Sequence, residues 1–243
     1  FKGCTSLEQI IFDSPKTLTI NFSFRNGPPQ SQVEIPFVSS IQKGLFSYFE
    51  CLTQITIPSS VTSIGPYAFD ECTSLTQIAI PSSVTSIGPY AFDECTSLTQ
   101  IAIPSSVTHI EKYAFNICTS LKIVSLCTHN ASIGEYAFNE CSSLADLIFE
   151  NSASICYVGR GSFNNCHSLA KISFPSPLYS IGNYAFNNCS SLIKVSFPST
   201  LKSIGNYAFN NCSSLIKVSF PSTLKSIGNY AFNNCSSLIK VSF

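Results

Sequence analysis

The residues of this chain best suited to chemistry are its cysteines, 12 among 243 residues. Thiols at suitable spacing bind zinc, form disulfides or act as nucleophiles. The spacing here points elsewhere. Cys4, Cys72, Cys95, Cys118, Cys141, Cys166, Cys189, Cys212 and Cys235 each lie three residues after a phenylalanine, mostly at steps of 23. The C-x-x-C pairs of a zinc site are absent. Stacked on neighbouring strands, roughly 5 Å apart, such cysteines lie within disulfide range. Side chains that all point one way into a core nevertheless pack as small apolar groups. Free buried thiols are therefore expected for the column. Cys127 and Cys156 fall off it, on expected surface, and are the candidates for a bridge or a reactive thiol.

Other chemical candidates are sparse. His109, His129 and His167 occupy three different positions in the pattern and form no ligand or catalytic set. Gly159-Arg160-Gly161-Ser162 shares only its glycines with a phosphate-binding loop and lacks the G-x-G-x-x-G or G-K-[ST] context. There is no G-x-S-x-G and no H-E-x-x-H. The expectation is a protein that is not an enzyme, with no catalytic residue, cofactor or metal. Sequons at Asn21, Asn130, Asn188, Asn211 and Asn234 permit glycosylation in a secretory pathway, although the last three are the repeated Asn-Cys-Ser.

Charge supplies the strongest binding candidate. The formal net charge is zero, yet residues 1–150 carry a net of −7 and residues 151–243 carry 7 basic groups and no acid. One position of the repeat reads Gln54, Gln77, Gln100, Ile123, Asp146, Lys171, Lys194, Lys217 and Lys240. Lysines about 5 Å apart in water repel by only about 0.8 kcal/mol, so the column needs no anion to exist. It nevertheless suits an acidic ligand, such as a glycosaminoglycan, an acidic protein segment or the acidic half of a second copy. Lys171, Lys194, Lys217 and Lys240, with Gln54, Gln77 and Gln100, are the candidate partner-binding residues. The near-absence of Arg from the basic half argues against nucleic acid.

These positions exist because the chain is one repeat, copied. Leu192–Ser214 and Leu215–Ser237 are identical, and Leu52–Ser74 differs from Leu75–Ser97 only at Thr56 and Ala79. Leading leucines recur at Leu52, Leu75, Leu98, Leu121, Leu144, Leu169, Leu192, Leu215 and Leu238, with one 25-residue step from an insertion near Asn151 to Ile155. Leu7 leads an irregular first unit, and Gln30 takes that position in the second. About ten units cover residues 1–243, so a single solenoid is expected.

Each unit alternates like a strand over Leu75–Ile80, stops at Pro81 and turns at Ser82-Ser83. Val84 and Ile87 form a second short extended stretch up to Gly88, and Tyr90, Phe92 and Cys95 suggest one helical turn. A lone unit cannot enclose its apolar residues; stacking at strand spacing makes a continuous core and a parallel sheet. Phe69, Phe92, Phe115, Phe138, Phe163, Phe186, Phe209 and Phe232 then form an aromatic spine. A Tyr column runs beside it through Tyr67, Tyr90, Tyr113, Tyr136, Tyr184, Tyr207 and Tyr230. The 44% apolar content excludes disorder, and no run of about 18 apolar residues exists to cross a bilayer.

The unit L-x-x-I-x-I-P-x-x-V-T-x-I-G-x-x-A-F-x-x-C-x-x resembles the BspA-like, or Treponema pallidum-type, leucine-rich repeat. Leu75–Ser97 matches it at every signature position. The resemblance implies an α/β solenoid with a parallel β-sheet and short helical turns, of the kind found on surface proteins of host-associated bacteria and mucosal protists. Its members are similar to adhesins that bind extracellular-matrix proteins, host cells or other microbes, and it supplies no catalytic residues. The departures are Gln30 for Leu, Cys127 and Glu150 for the strand-ending Pro, Glu111 for Gly, and Gly161-Ser162 for Tyr-Ala.

The functional expectation is a non-enzymatic, protein-binding module at the cell surface or secreted, contacting host matrix or host cells by many weak contacts along the repeats. The alternative is an intracellular, cytoplasmic scaffold or self-assembling structural protein. The sequence lacks Met and a leader, Phe1 enters mid-repeat, and neither end carries a polar cap. The chain is therefore expected to be a segment of a longer protein, or to form homodimers through an exposed solenoid end.

Overall fold

The computed structural model describes residues 9–10, 31–34, 38–150 and 153–243. Phe1, Cys4, Leu7, Asn21, Gln30 and Asn151 lie outside the described residues. The described residues form a parallel-strand solenoid of about nine turns, three walls to a turn.

The front wall holds the alternating segments, including Leu52–Thr56, Gln77–Ala79, Gln100–Ile103, Ile123–Leu126, Asp146–Phe149, Lys171–Ser173, Lys194–Ser196, Lys217–Ser219 and Lys240–Ser242. They pair in parallel in three groups, with breaks between Gln77–Ala79 and Gln100–Ile103 and between Asp146–Phe149 and Lys171–Ser173. Pro81 ends its strand and opens a turn in which Val84 N–H donates to the Pro81 carbonyl, 3.0 Å. Where Pro is replaced, the ladder runs one residue further: Cys127 N–H reaches the Ile103 carbonyl at 3.0 Å, and Glu150 N–H the Leu126 carbonyl at 2.9 Å. The missing donor of proline thus sets strand length.

The back wall is one nine-stranded parallel sheet of very short strands, from Ser40–Ile41 to Ser226–Ile227. The glycine that follows seven of these nine strands lets one rung lie against the next. A Cβ on Gly88 would come within 2.7 Å of Pro66 N. Glu111, like Gln42 after Ser40–Ile41, stands where seven rungs have Gly, and its N–H reaches Ile87 O at 3.3 Å, against 2.8 Å for Gly88 and Gly134 to their partners. The 25-residue step is absorbed as a bulge: Ala131 pairs with Ile155 and Ser132 with Tyr157, leaving Cys156 unpaired in register. Cys156 is thus a back-wall residue, while the cysteine column continues unbroken from Cys141 to Cys166.

The third wall differs from the helical turn expected. No α-helix is assigned among the described residues; alternate N–H groups bond locally and forward instead. Ala91, Asp93 and Cys95 donate to carbonyls three residues back, while Tyr90, Phe92 and Glu94 donate to Lys112, Ala114 and Asn116 of the next rung. The switch comes from left-handed residues every four positions, such as Tyr90 (φ 57°) and Glu94 (φ 54°). That conformation costs roughly 1–2 kcal/mol per non-glycine residue, and the inter-rung bonds offset it.

Inside, the spine from Phe46 through Phe69 to Phe232 stacks with centroids 5.0–5.3 Å apart and planes within 11°. Each column cysteine between Cys72 and Cys235 donates its S–H to the carbonyl of the Phe in the preceding rung, as Cys95 Sγ does to Phe69 O at 3.2 Å. Stability should therefore be sensitive to anything that widens the rung spacing. Gly134→Ala, whose Cβ would press on the Glu111 backbone, is expected to cost about 1–3 kcal/mol by urea unfolding. Glu111→Ala, where a Cβ is already accommodated, should cost nothing; equal losses for both would refute this packing.

Candidate functional site

The outward side chains of the front wall are the candidate partner-binding residues, and they are exposed. Strand alternation places Ile78 and Val195 inward while Gln77 and Lys194 face out. The sheet register brings the lysines together: Lys171 pairs with Lys194, Lys194 with Lys217, and Lys217 with Lys240. Gln54 is paired with Gln77, and with Gln100 they line a hollow of about 310 Å³. At the second break, a hollow of about 480 Å³ is lined by Asp146, Lys171, Lys194 and Ser196. Lys202 and Lys225, just before Ser203–Ile204 and Ser226–Ile227, belong to the back wall instead.

An exposed apolar column beside the lysines escaped the reading of the sequence. Ile193 and Ile216 immediately precede Lys194 and Lys217, and each is 42% exposed. The same position holds Thr53, Thr76 and Thr99 in the first half. Ile193 and Ile216 lie ahead of the strands Lys194–Ser196 and Lys217–Ser219, so the two-residue alternation that buries Val195 and Val218 does not set their exposure.

The third wall carries two amide ladders that sequence reasoning also missed. Asn139, Asn164, Asn187, Asn210 and Asn233 each donate Nδ2–H to the Oδ1 of the residue one rung earlier, at 2.7–2.9 Å. A second ladder links Asn165, Asn188, Asn211 and Asn234 at 2.7–2.8 Å. The side-chain nitrogens of Asn188, Asn211 and Asn234 are thus engaged, whereas Asn130 is exposed in a turn.

The first ladder ends on carboxylates. Asn116 donates to Asp93 at 2.8 Å, and Ser47 donates its hydroxyl to Asp70 at 3.2 Å. Burial pushes both carboxyls up to about 6 from the ordinary 3.8, and neighbouring acids such as Glu94 add to the rise. At these two groups the folded state therefore holds protons more tightly than the unfolded chain between about pH 4 and 6, so their contribution to stability is fully present below that window and declines across it as pH rises. Asp70→Asn with Asp93→Asn should flatten this dependence. It should also raise the Tm at pH 7 by about 2–4 °C, the change worth about 1 kcal/mol in a chain of this size. A thermal scan at pH 4 and 7 showing the wild-type slope in the variant would contradict it.

The cysteine column has no nucleophilic character. Burial raises the thiols of Cys72, Cys95, Cys118, Cys141 and Cys166, and takes Cys189 to about 12 and Cys235 to about 11. Cys127 and Cys156 are free and half-buried. In the native protein, maleimide should modify Cys127 and Cys156 within minutes and leave Cys95, Cys118 and Cys141 untouched until denaturation. Peptide mapping that finds both sets modified together would overturn this.

The tyrosines stack at 4.8–5.1 Å in two runs, Tyr67 to Tyr136 and Tyr184 to Tyr230. Gly161, left-handed at φ 58°, stands in the gap. The Arg160 guanidinium lies 5.9 and 5.8 Å from the centroids of Tyr136 and Tyr184 and bridges them. Gly159–Ser162 is therefore a repaired break in an aromatic column. No group of three or more His, Cys, Asp or Glu suited to a metal occurs among the described residues. Among the described residues there is no helix long and apolar enough to cross a membrane.

Comparison with known proteins agrees with this architecture. A family model for the BspA type leucine rich repeat region, in six copies, matches residues 39–157 and 156–243. A leucine-rich repeat protein from Bacteroides ovatus is 30% identical with a TM-score of 0.72, the match covering 86% of this chain and 62% of that protein. The chain thus spans less than two thirds of that protein's length. The T. pallidum leucine rich repeat protein is 27% identical over 76% of this chain and 77% of its own, with a TM-score of 0.53. A leucine rich cell surface protein from Faecalibacterium prausnitzii shares the fold at 20% identity and a TM-score of 0.51, covering 96% of this chain and 94% of that one. Among curated proteins none matches.

Proposed function

The chain belongs to the BspA-type leucine-rich-repeat family, whose members are typically protein-binding modules, and from this premise we propose that it is a surface adhesin segment whose front wall captures an acidic partner on host matrix or host cells. The observation that carries the proposal is the register of Lys171, Lys194, Lys217 and Lys240, four cations on one exposed face. Residues 151–243 contain no acid to neutralise them. Beyond Asp146, which shares a hollow with Lys171 and Lys194, the groups that balance the column come from solvent or from a partner, and displaced counterions favour a polyanionic partner over single ions. Gln54, Gln77 and Gln100 extend the face with neutral donors and acceptors. Contacts of this kind, each weak, sum along the rungs, because one rigid solenoid presents them all at once.

The surface location rests on the family resemblance, and a protein of the same fold is described as a cell surface protein. Antibody labelling of the native protein should give signal on intact, unpermeabilised cells; signal only after permeabilisation would replace the adhesin reading with the scaffold reading. In the same reading, Lys194→Glu with Lys217→Glu should abolish binding of the chain to host cells together with its salt dependence. Lys202→Glu with Lys225→Glu, on the back wall, should leave binding intact. Equal losses for the two pairs would exclude the front wall as the binding face.

A further inference from the structure

We propose, resting on the front-wall reading above, that the partner segment is an amphipathic α-helix lying along the solenoid axis, with an acidic stripe on the lysine column and an apolar stripe on the adjoining isoleucines. The two columns coincide over three of the four lysine rungs, Ile193 beside Lys194, Ile216 beside Lys217 and Ile239 beside Lys240, with Ala170 before Lys171. A purely ionic ligand makes no use of isoleucines exposed at 42%. A surface that pairs a cationic row with an apolar row complements one that pairs an anionic row with an apolar row.

The repeat distance selects the helix. Neighbouring strands lie about 4.8 Å apart, so three steps from Lys171 to Lys240 span about 14–15 Å. One face of an α-helix recurs every turn, about 5.4 Å, or about 16 Å over three turns. The 1–2 Å difference is within the reach of flexible lysine side chains. One face of an extended strand recurs every second residue, about 6.6–6.8 Å, or about 20 Å over three steps. A strand along the axis thus falls a full rung out of step by the fourth lysine.

Lys171 and Lys194 also line the 480 Å³ hollow with Asp146, so the acidic stripe of the helix meets one like charge at that end of the column. A sulfated polysaccharide supplies anions and leaves the isoleucine row unused.

The test uses the 243-residue chain and a fluorescent peptide with glutamates at i, i+4, i+7 and i+11 and a leucine after each, a helical stripe pattern. Its isomer carries the same residues with glutamates at every second position. Fluorescence anisotropy at low salt should show the helical peptide binding about tenfold tighter than the isomer, and Lys194→Glu with Lys217→Glu should remove binding. Ile193→Thr with Ile216→Thr, which restores the residue found at that position in the first half of the chain, should cost about tenfold through lost apolar contact.

Equal affinity for both peptides would overturn the proposal. Unchanged affinity in the threonine variant, or preference for phosphatidylserine vesicles or heparin over the helical peptide, would do the same. Failure of both peptides, with host-cell binding still lost on charge reversal at Lys194 and Lys217, would refute the helix while leaving the front wall as the binding face. Loss of the surface signal, by contrast, refutes the adhesin reading itself.

Discussion

Every part of this molecule depends on a translation of about 5 Å from one rung to the next. That step is the hydrogen-bonding distance between parallel strands, and the front and back walls obey it directly. It is also a stacking distance for aromatic rings: Phe69, Phe92 and Phe115 sit 5.0 Å apart with nearly parallel planes. Asn187 can hand a hydrogen bond to Asn164, and the Cys95 thiol can reach the Phe69 carbonyl, because identical side chains recur at that same step. One distance satisfies backbone, amide, thiol and ring together. The chain therefore tolerates substitutions that keep the step and resists those that widen it, which is why glycine ends most back-wall strands.

Much of this was legible in the sequence. The 23-residue period, the inward Ile78 and Val195, the Phe spine and the free thiol column all follow from counting residues and asking which face an alternating segment buries. The outward run from Gln54 to Lys240 followed from the same alternation. What stayed hidden depends on backbone conformations that side-chain patterns do not encode. Tyr90 and Glu94 are left-handed, so the segment that reads as a helical turn is a third hydrogen-bonded wall. The Asn ladders required knowing that this wall links rungs. The position of the bulge at Cys156 required the register of Ala131 against Ile155. Ser162, in place of the usual alanine, leaves its hydroxyl buried without a partner, so the irregular rung carries an unbalanced polar group as well as a missing tyrosine.

The same translation explains how the chain acquires the proposed binding face without a pocket of specialised residues. Any substitution that enters one unit is copied into a column when the unit is duplicated, so a single lysine becomes a cationic stripe and a single isoleucine an apolar one. The core columns bear the folding requirement and leave the outward positions free to change: Thr in the early rungs, Ile in the late ones. Separation of the acidic from the basic half is the visible result. In the proposed reading, specificity lies in the match of repeat distances between solenoid and partner, with each contact individually weak.

The central claim is that the front wall of the basic half is the binding face, and the lysines of two walls in the same rungs allow it to be read directly. Acetylation of the chain with a trace of acetic anhydride, with and without saturating acidic helical peptide, followed by peptide mass spectrometry, reports each lysine separately. The account predicts protection of Lys171, Lys194 and Lys217 with Lys202 and Lys225 acetylated as before. Protection of Lys202 and Lys225, or none at the front-wall lysines, would contradict it.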